Sequence, residues 1–206
     1  MLKIENVSKK FHRNIIFEKI NLKFEKGDLV HLYGINGSGK STLFKMITDI
    51  MEPDEGKIII EQGKRIGAVI ENSGFIENET ILYNLKYLYS LLNPYDESIE
   101  KNIVDLCKEF NLDLYNTDKI KSYSVGMRQK VAIIQAIMEN QDIILLDEPT
   151  RGLDQDAVSE FFNIINKLAK TKEKVIIIAS HDLMDKLDYN KMLVIEDKKI
   201  YDKKEK

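Results

Sequence analysis

Gly34-Ile35-Asn36-Gly37-Ser38-Gly39-Lys40-Ser41-Thr42 is the stretch on which the fold of this chain turns. Gly34, four residues, then Gly39-Lys40-Ser41 is the spacing of a phosphate-binding loop. Gly34, Gly37 and Gly39 carry no Cβ, so the backbone can take left-handed angles and bring N–H groups close to an anion. Lys40 can reach the β- and γ-phosphates of a nucleotide, and the Ser41 hydroxyl can ligate Mg²⁺. Asn36 to Thr42 would form the cradle, and a helix starting there would aim its positive end at the same phosphates. A plain glycine-rich turn would not need Lys and Ser to follow at once. The motif also requires a strand before it and a helix after it. Leu29–Tyr33 is a short apolar run suited to a buried strand, and Thr42–Ile47 continues as a helix.

Outward from the loop, the chain reads as α/β. Residues 2–7 and Ile20–Phe24 alternate with period two, so a β layer comes first. After the turn Met51–Gly56, strands are expected at Lys57–Ile60 and Ile66–Ile70, with Gln62-Gly63 between them. From about residue 72 the period changes. Ile81, Leu85, Leu88 and Leu92, then Ile99, Ile103, Leu106 and Phe110, recur at helical spacing, with Pro94 breaking the pattern between them. Met127, Val131, Ile134 and Met138 share a face of a further helix, so a helical insert is expected over about 72–140. The strand Ile143–Leu146, a helix with Val158, Phe161, Ile165 and Leu168 facing inward, the strand Val175–Ala179 and a closing hairpin over Met192–Tyr201 complete the order. Alternating strands and helices imply a mostly parallel sheet whose loops after the strands meet at one ligand-binding edge.

The composition limits the partners. A chain of 206 residues with 43% apolar content can build one sizeable core and at most a subdomain beside it. Net charge is −3, so there is no electrostatic footprint for nucleic acid, and none is expected as a partner. The lysine-rich tail 198–206 is expected as a solvated end. The one cysteine, Cys107, falls among apolar helix positions and is expected to fill core in a reducing compartment. No run of 18 apolar residues occurs, and residues 1–7 lack a signal peptide's apolar stretch. A cytosolic protein is expected, unless another chain holds it to a membrane.

Asp147-Glu148 ends the apolar strand at the edge where the phosphate loop opens. One carboxylate there can hold Mg²⁺ and its neighbour can orient the water that attacks the γ-phosphate. Pro149 is expected to confine Glu148 to extended angles. GINGSGKST, Tyr123–Gln129 (YSVGMRQ), Ile143–Thr150 (IILLDEPT), Gly152-Leu153-Asp154 and Ser180-His181-Asp182 follow in one order. That order resembles the ATP-binding subunit of ABC transporters, over nearly the whole chain. The resemblance implies a single ATP-binding domain over 1–206: a P-loop (RecA-like) core, an antiparallel β layer and a helical subdomain. It implies an ATPase using ATP and Mg²⁺ that powers a separate integral membrane permease, held on the inner face of the membrane through that partner. Two such subunits, as a homodimer or heterodimer, would close on two ATP molecules.

The resemblance also assigns residues. Ser124 and Gly126 match the signature loop, which completes the ATP site of the opposing subunit. Ser124 is equally an ordinary helix N-cap, and both roles are compatible. Asp154 would sit at the dimer seam, and His181 would contact the γ-phosphate or the water near Glu148. Phe11 matches the aromatic that stacks on adenine. Glu71 stands where the family usually has glutamine, and a carboxylate suits Mg²⁺ at least as well. Glu71, Val125 and Met127 make the chain most similar to exporters of the drug- and bacteriocin-resistance (ABC-2) type, many of which run longer. The surface coupled to the permease is expected at 71–80. His12 and His31 receive no role. The alternatives are a soluble ABC ATPase acting on ribosomes or DNA, which usually carries tandem cassettes or basic additions, and a switch that binds nucleotide without efficient hydrolysis.

Overall fold

The computed structural model describes residues 1–71, 74–182 and 186–203. Its first layer is an antiparallel sheet of β1 (Leu2–Phe11), β2 (Asn14–Phe24) and β4 (Glu55–Ile60), in the order β2-β1-β4. Leu2 and Ile4 pair with Phe24 and Leu22 on one side and with Ile60 and Ile58 on the other. β1 and β2 both run longer than the alternating stretches 2–7 and Ile20–Phe24 foretell. The register shifts between Ile4 and Val7, where Asn6 takes a φ of 52°, and this bulge breaks the period-two signal that marks Leu2–Val7.

The second sheet has the order β5-β6-β7-β3-β8-β9, with β3 at Leu29–Tyr33, β5 at Ile66–Val69, β6 at Ile143–Asp147, β7 at Val175–Ser180, β8 at Lys191–Glu196 and β9 at Lys199–Asp202. All its pairs are parallel except the final β8–β9 hairpin. The turn at Gln62-Gly63 therefore carries the chain from one sheet to the other. Strand parity sorts the apolar side chains into two cores. Ile143, Leu145, Val175 and Ile177 face the antiparallel layer and α1 (Lys40–Ile47), packing with Phe17, Phe24 and Phe44. Ile144, Leu146, Ile176 and Ile178 face the helices, packing with Leu85, Ile103, Val131 and Phe161. Full burial on both faces explains why β6 and β7 read as unbroken apolar runs. Each such side chain contributes about 1.5–3 kcal/mol of transfer free energy.

The helical segment comprises α2 (Ile81–Ser90), α3 (Glu97–Glu109), a 3-10 turn at Ile120–Ser122 and α4 (Val125–Ile137), which packs on β5, β6, α2 and α3. Asp96 starts α3 by accepting from the N–H groups of Ser98 and Ile99. Leu92 departs from expectation. α2 ends before it, ahead of Asn93-Pro94, and leaves the residue 83% exposed. Cys107 is buried in the helical core, and burial pushes its thiol up to about 12, so it is inert filler. Helix α5 (Gln155–Lys170) returns the chain to β7. Among the described residues, no helix is long and apolar enough to cross a membrane. Residues 204–206 of the tail lie outside the described residues.

Candidate nucleotide site

The site is assembled at the carboxyl ends of three adjacent strands, β6, β7 and β3. Two backbone bonds pin them together: Glu148 N–H donates to Ala179 O at 2.8 Å, and Gly34 N–H to Ser180 O at 3.3 Å. The loop after β3 then turns into α1 through Gly39, whose φ is 109°. A Cβ there would meet Ile16 Cγ2 at 2.6 Å and Phe17 Cζ at 2.7 Å, so only glycine closes this turn against β2. Gly39 also caps α1 without a side-chain acceptor, leaving the first-turn N–H groups open to an anion.

Lys40 is only 6% exposed, and its Nζ donates to Gly34 O at 2.6 Å and Ile35 O at 3.4 Å. It also lies 3.3 Å from Glu148 Oε1. The other Glu148 oxygen, Oε2, is 2.9 Å from His181 Nδ1, while His181 Nε2 is 3.4 Å from Asp182 Oδ2. One carboxylate is thus held between the phosphate-loop lysine and the strand-end histidine. The expected extended backbone at Glu148 is not found, since its φ is 46°. The tight turn closed by Arg151 N–H to Glu148 O, together with the bond to Ala179, overrides the preference imposed by Pro149. A left-handed non-glycine residue costs about 1–3 kcal/mol, and strain of this kind concentrates where a side chain must be aimed.

Ser41 Oγ donates to Asp147 Oδ2. Asp147 Oδ1 is buried and has no hydrogen-bond partner among the described residues. Burial pushes the Asp147 carboxyl above its ordinary range; the charges of Glu148 and Glu71 add to this, while Ser41 and Lys40 oppose it. An orphaned buried carboxylate oxygen beside a hydroxyl fits a hard divalent cation. No cluster of three or more His, Cys, Asp or Glu that could hold a metal occurs among the described residues. The nucleotide's phosphates would therefore have to complete the coordination, as is usual for Mg²⁺.

A cavity of about 770 Å³ opens here, lined by Asn36, Gly37, Gly39 to Thr42, Glu71, Asp147 and Glu148 among others. Ser38 faces elsewhere: its N–H is spent on Ile35 O, and it lines a smaller hollow beside Tyr33 and Ile195. Glu71, with φ 56°, reaches the cavity but accepts from Lys45 Nζ at 2.7 Å. Phe11, Ser124, Gly126, Asp154 and His181 are not part of the cavity's lining. Phe11 ends β1 and is 42% exposed, with Lys9 Nζ 5.6 Å from its ring centroid. Ser124 and Asp154 act as N-caps of α4 and α5, accepting from Met127 N at 3.2 Å and Ala157 N at 2.8 Å. Gly126 packs so closely on the loop before α5 that a Cβ would stand 2.6 Å from Gly152 O.

Three polar side chains at the site were not foreseen from the sequence. Lys45 lies four residues after Ser41 on α1, one turn along the same face, a spacing that was legible once the helix was placed. Arg151 and Gln129 also line the cavity, and Gln129 Nε2 donates to Pro149 O at 3.1 Å. No periodicity marks either.

A phosphate cradle whose lysine faces a strand-end glutamate across one cavity defines a P-loop ATPase. The chain belongs to the ABC transporter family, whose model matches residues 17–151. It is 32% identical over 194 residues to the uncharacterized ABC transporter ATP-binding protein YybJ of Bacillus subtilis, covering 90% of this chain and 87% of that one. It is 31% identical over 192 residues to the lantibiotic transport ATP-binding protein SrtF of Streptococcus pyogenes, covering 90% and 82%. Among solved structures, the ATP-binding cassette MJ0796, dimeric in a post-hydrolysis state with ADP and Pi, superposes with a TM-score of 0.86 at 26% identity, covering 97% and 96%. The chain is the ATP-binding, ATP-hydrolysing subunit of an ABC transporter.

Proposed function

We propose that this subunit hydrolyses Mg²⁺-ATP at the cavity between the phosphate loop and the end of β6, and thereby drives a separate permease. The observation that carries the reading is Glu148, held between Lys40 and His181 at one end of that cavity. Lys40 and the N–H groups of the loop bind and orient the β- and γ-phosphates. When bound, Mg²⁺ would neutralise developing charge on the phosphate oxygens. Ser41 and the free oxygen of Asp147 are the residues that would hold it. Glu148 orients the attacking water and accepts its proton, and His181 keeps that carboxylate aimed. Phe11, exposed at the end of β1, stacks on the adenine.

Two subunits, alike or different, close head to tail, each completing the other's site with Ser124 and Gly126. Val125 between them is 71% exposed, so the start of α4 presents an uncovered face to a partner. Isolated protein is expected to be mainly monomeric and to dimerise with ATP when hydrolysis is blocked by Glu148→Gln. Sedimentation with and without ATP checks this, and a persistent monomer at saturating ATP would count against the sandwich.

Coupling to the permease runs through 71–80, of which residues 72 and 73 lie outside the described residues. Ile76 is exposed there and its backbone bonds the side chain of Asn84 on α2, a helix that also exposes the stacked pair Tyr83 and Tyr87. Arg128 Nη1, 3.0 Å from Glu77 Oε2, ties the segment to the start of α4. Through the permease the subunit sits at the inner face of the membrane. The relatives named for lantibiotic and bacitracin transport favour export of a drug, peptide or lipid-like compound. Co-purifying the membrane partner and assaying its cargo tests that assignment.

Glu71, which accepts from Lys45 in this structure, would exchange that bond for the metal's water shell once ATP is bound. Glu71→Gln is then expected to be tolerated, because an amide oxygen is still a hard ligand, whereas Glu71→Ala should raise the Mg²⁺ requirement. Identical Mg²⁺ titrations of ATPase activity for wild type and Glu71→Ala would leave this position a coupling role only.

A further inference from the structure

His31 lies on β3, three residues before the phosphate loop begins at Gly34, and is fully buried. β3 pairs in parallel with β7, placing His31 opposite Ile178 and Tyr33 opposite Ser180. Ser180 is therefore two residues along from the partner of His31, on the same face of the sheet. His31 Nε2 lies 2.8 Å from Ser180 Oγ. The same hydroxyl donates its one hydrogen to the carbonyl oxygen of Asp182 at 2.6 Å, which can only accept. Ser180 Oγ must then accept from His31, so Nε2 carries a proton. The other side of the ring stacks on Tyr189, with centroids 5.0 Å apart and planes at 23°. His31 thus touches the chain just before His181 and again at Tyr189, beyond it. A buried polar group in this setting is costly unless satisfied, so the bonded arrangement is strongly preferred over its alternatives.

We propose that His31 is a positioning residue for ATP hydrolysis: through the hydroxyl of Ser180 and the ring of Tyr189 it holds the segment carrying His181 in register with the strand that feeds the phosphate loop. The proposal rests on the reading that His181 keeps Glu148 aimed. Ser180 Oγ closes a small turn onto Asp182 O around His181, and the His31 N–H fixes where that hydroxyl points. Loss of the N–H frees the hydroxyl to rotate, and the imidazole that meets Glu148 at 2.9 Å loses its anchor. No contact of His31 with nucleotide is required.

The test uses His31→Phe, which keeps a stacking ring and loses the N–H, and His31→Gln, whose amide N–H reaches about as far as Nε2. Circular dichroism first establishes that both fold. His31→Phe is expected to lower kcat by about ten- to a hundredfold, the cost of a small misplacement, with KM for ATP held within about twofold. His31→Gln should recover most of the loss. In a His181→Ala background, His31→Phe should cost nothing further, because the side chain it positions is gone. An unchanged kcat in folded His31→Phe, or an equal loss in both backgrounds, would overturn the proposal. A second readout does not depend on turnover. The chain has three histidines, so ¹H–¹⁵N spectra of the rings are assignable. Nε2 of His31 should be protonated in wild type, and His31→Phe should move the His181 ring signals while leaving those of His12. A bare Nε2, or unmoved His181 signals, would refute the clamp itself. A wild-type rate in His181→Ala would instead sink the role of His181 in turnover, with the ring spectra still deciding the clamp.

Discussion

Glu148→Gln is expected to lower steady-state ATP turnover by about 10²–10⁴-fold, the range lost with a positioned general base. The amide keeps the shape of the side chain and can still accept from His181, but it cannot take a proton from water. ATP affinity should survive, because in the proposed site the phosphate contacts come from the loop N–H groups and Lys40. Removing the negative charge 3.3 Å from Lys40 also leaves that cation freer for the γ-phosphate. Bound ATP should therefore persist and the closed dimer accumulate. Single-turnover hydrolysis and equilibrium nucleotide binding measured on one preparation separate the two effects. Undiminished turnover in purified Glu148→Gln would remove this carboxylate from the chemistry.

Lys40→Ala should fail at the earlier step. Lys40 is buried, and in the absence of nucleotide its charge is satisfied by two loop carbonyls and Glu148. A hydrogen bond to a charged group contributes about 1.5–3 kcal/mol, which corresponds to a loss of roughly 10- to 150-fold in ATP affinity. The substitution also strips Glu148 of its nearby cation. Turnover should then fall even at saturating ATP, unlike a defect of binding alone. Titration with a fluorescent ATP analogue reads the affinity, and wild-type binding by Lys40→Ala would contradict the cradle. The two variants should thus separate, one binding without turning over and the other binding poorly.

Much of this site was legible in the chain because its signals are local. The glycine spacing, Lys40 and Ser41 lie within nine residues, and Asp147-Glu148 follows directly on an apolar run. Signals failed where two demands met on one residue. Pro149 argues for an extended Glu148, yet the turn to Arg151 and the bond to Ala179 impose a left-handed one. Leu92 keeps the helical spacing of Leu85 and Leu88, yet α2 stops short of it. Ser38 belongs to the loop motif, but its N–H is consumed by Ile35, which turns the side chain away from the cavity.

The sequence alone determined the α/β class, the alternation of strands and helices, and the chemistry of a phosphate loop with a strand-end carboxylate pair. Those follow from side-chain period and backbone freedom, which act over a few residues. Only the tertiary structure decided which strand ends meet. The order β6-β7-β3 puts Glu148 between Lys40 and His181, and no local rule states that order. It also decided that Glu71 faces Lys45, and that His31, silent in the sequence, bonds Ser180 across 149 residues of chain. Strand order and register arise from burying two apolar faces at once and from hydrogen bonding between distant segments, so the partners of a polar side chain become defined only when the sheet closes.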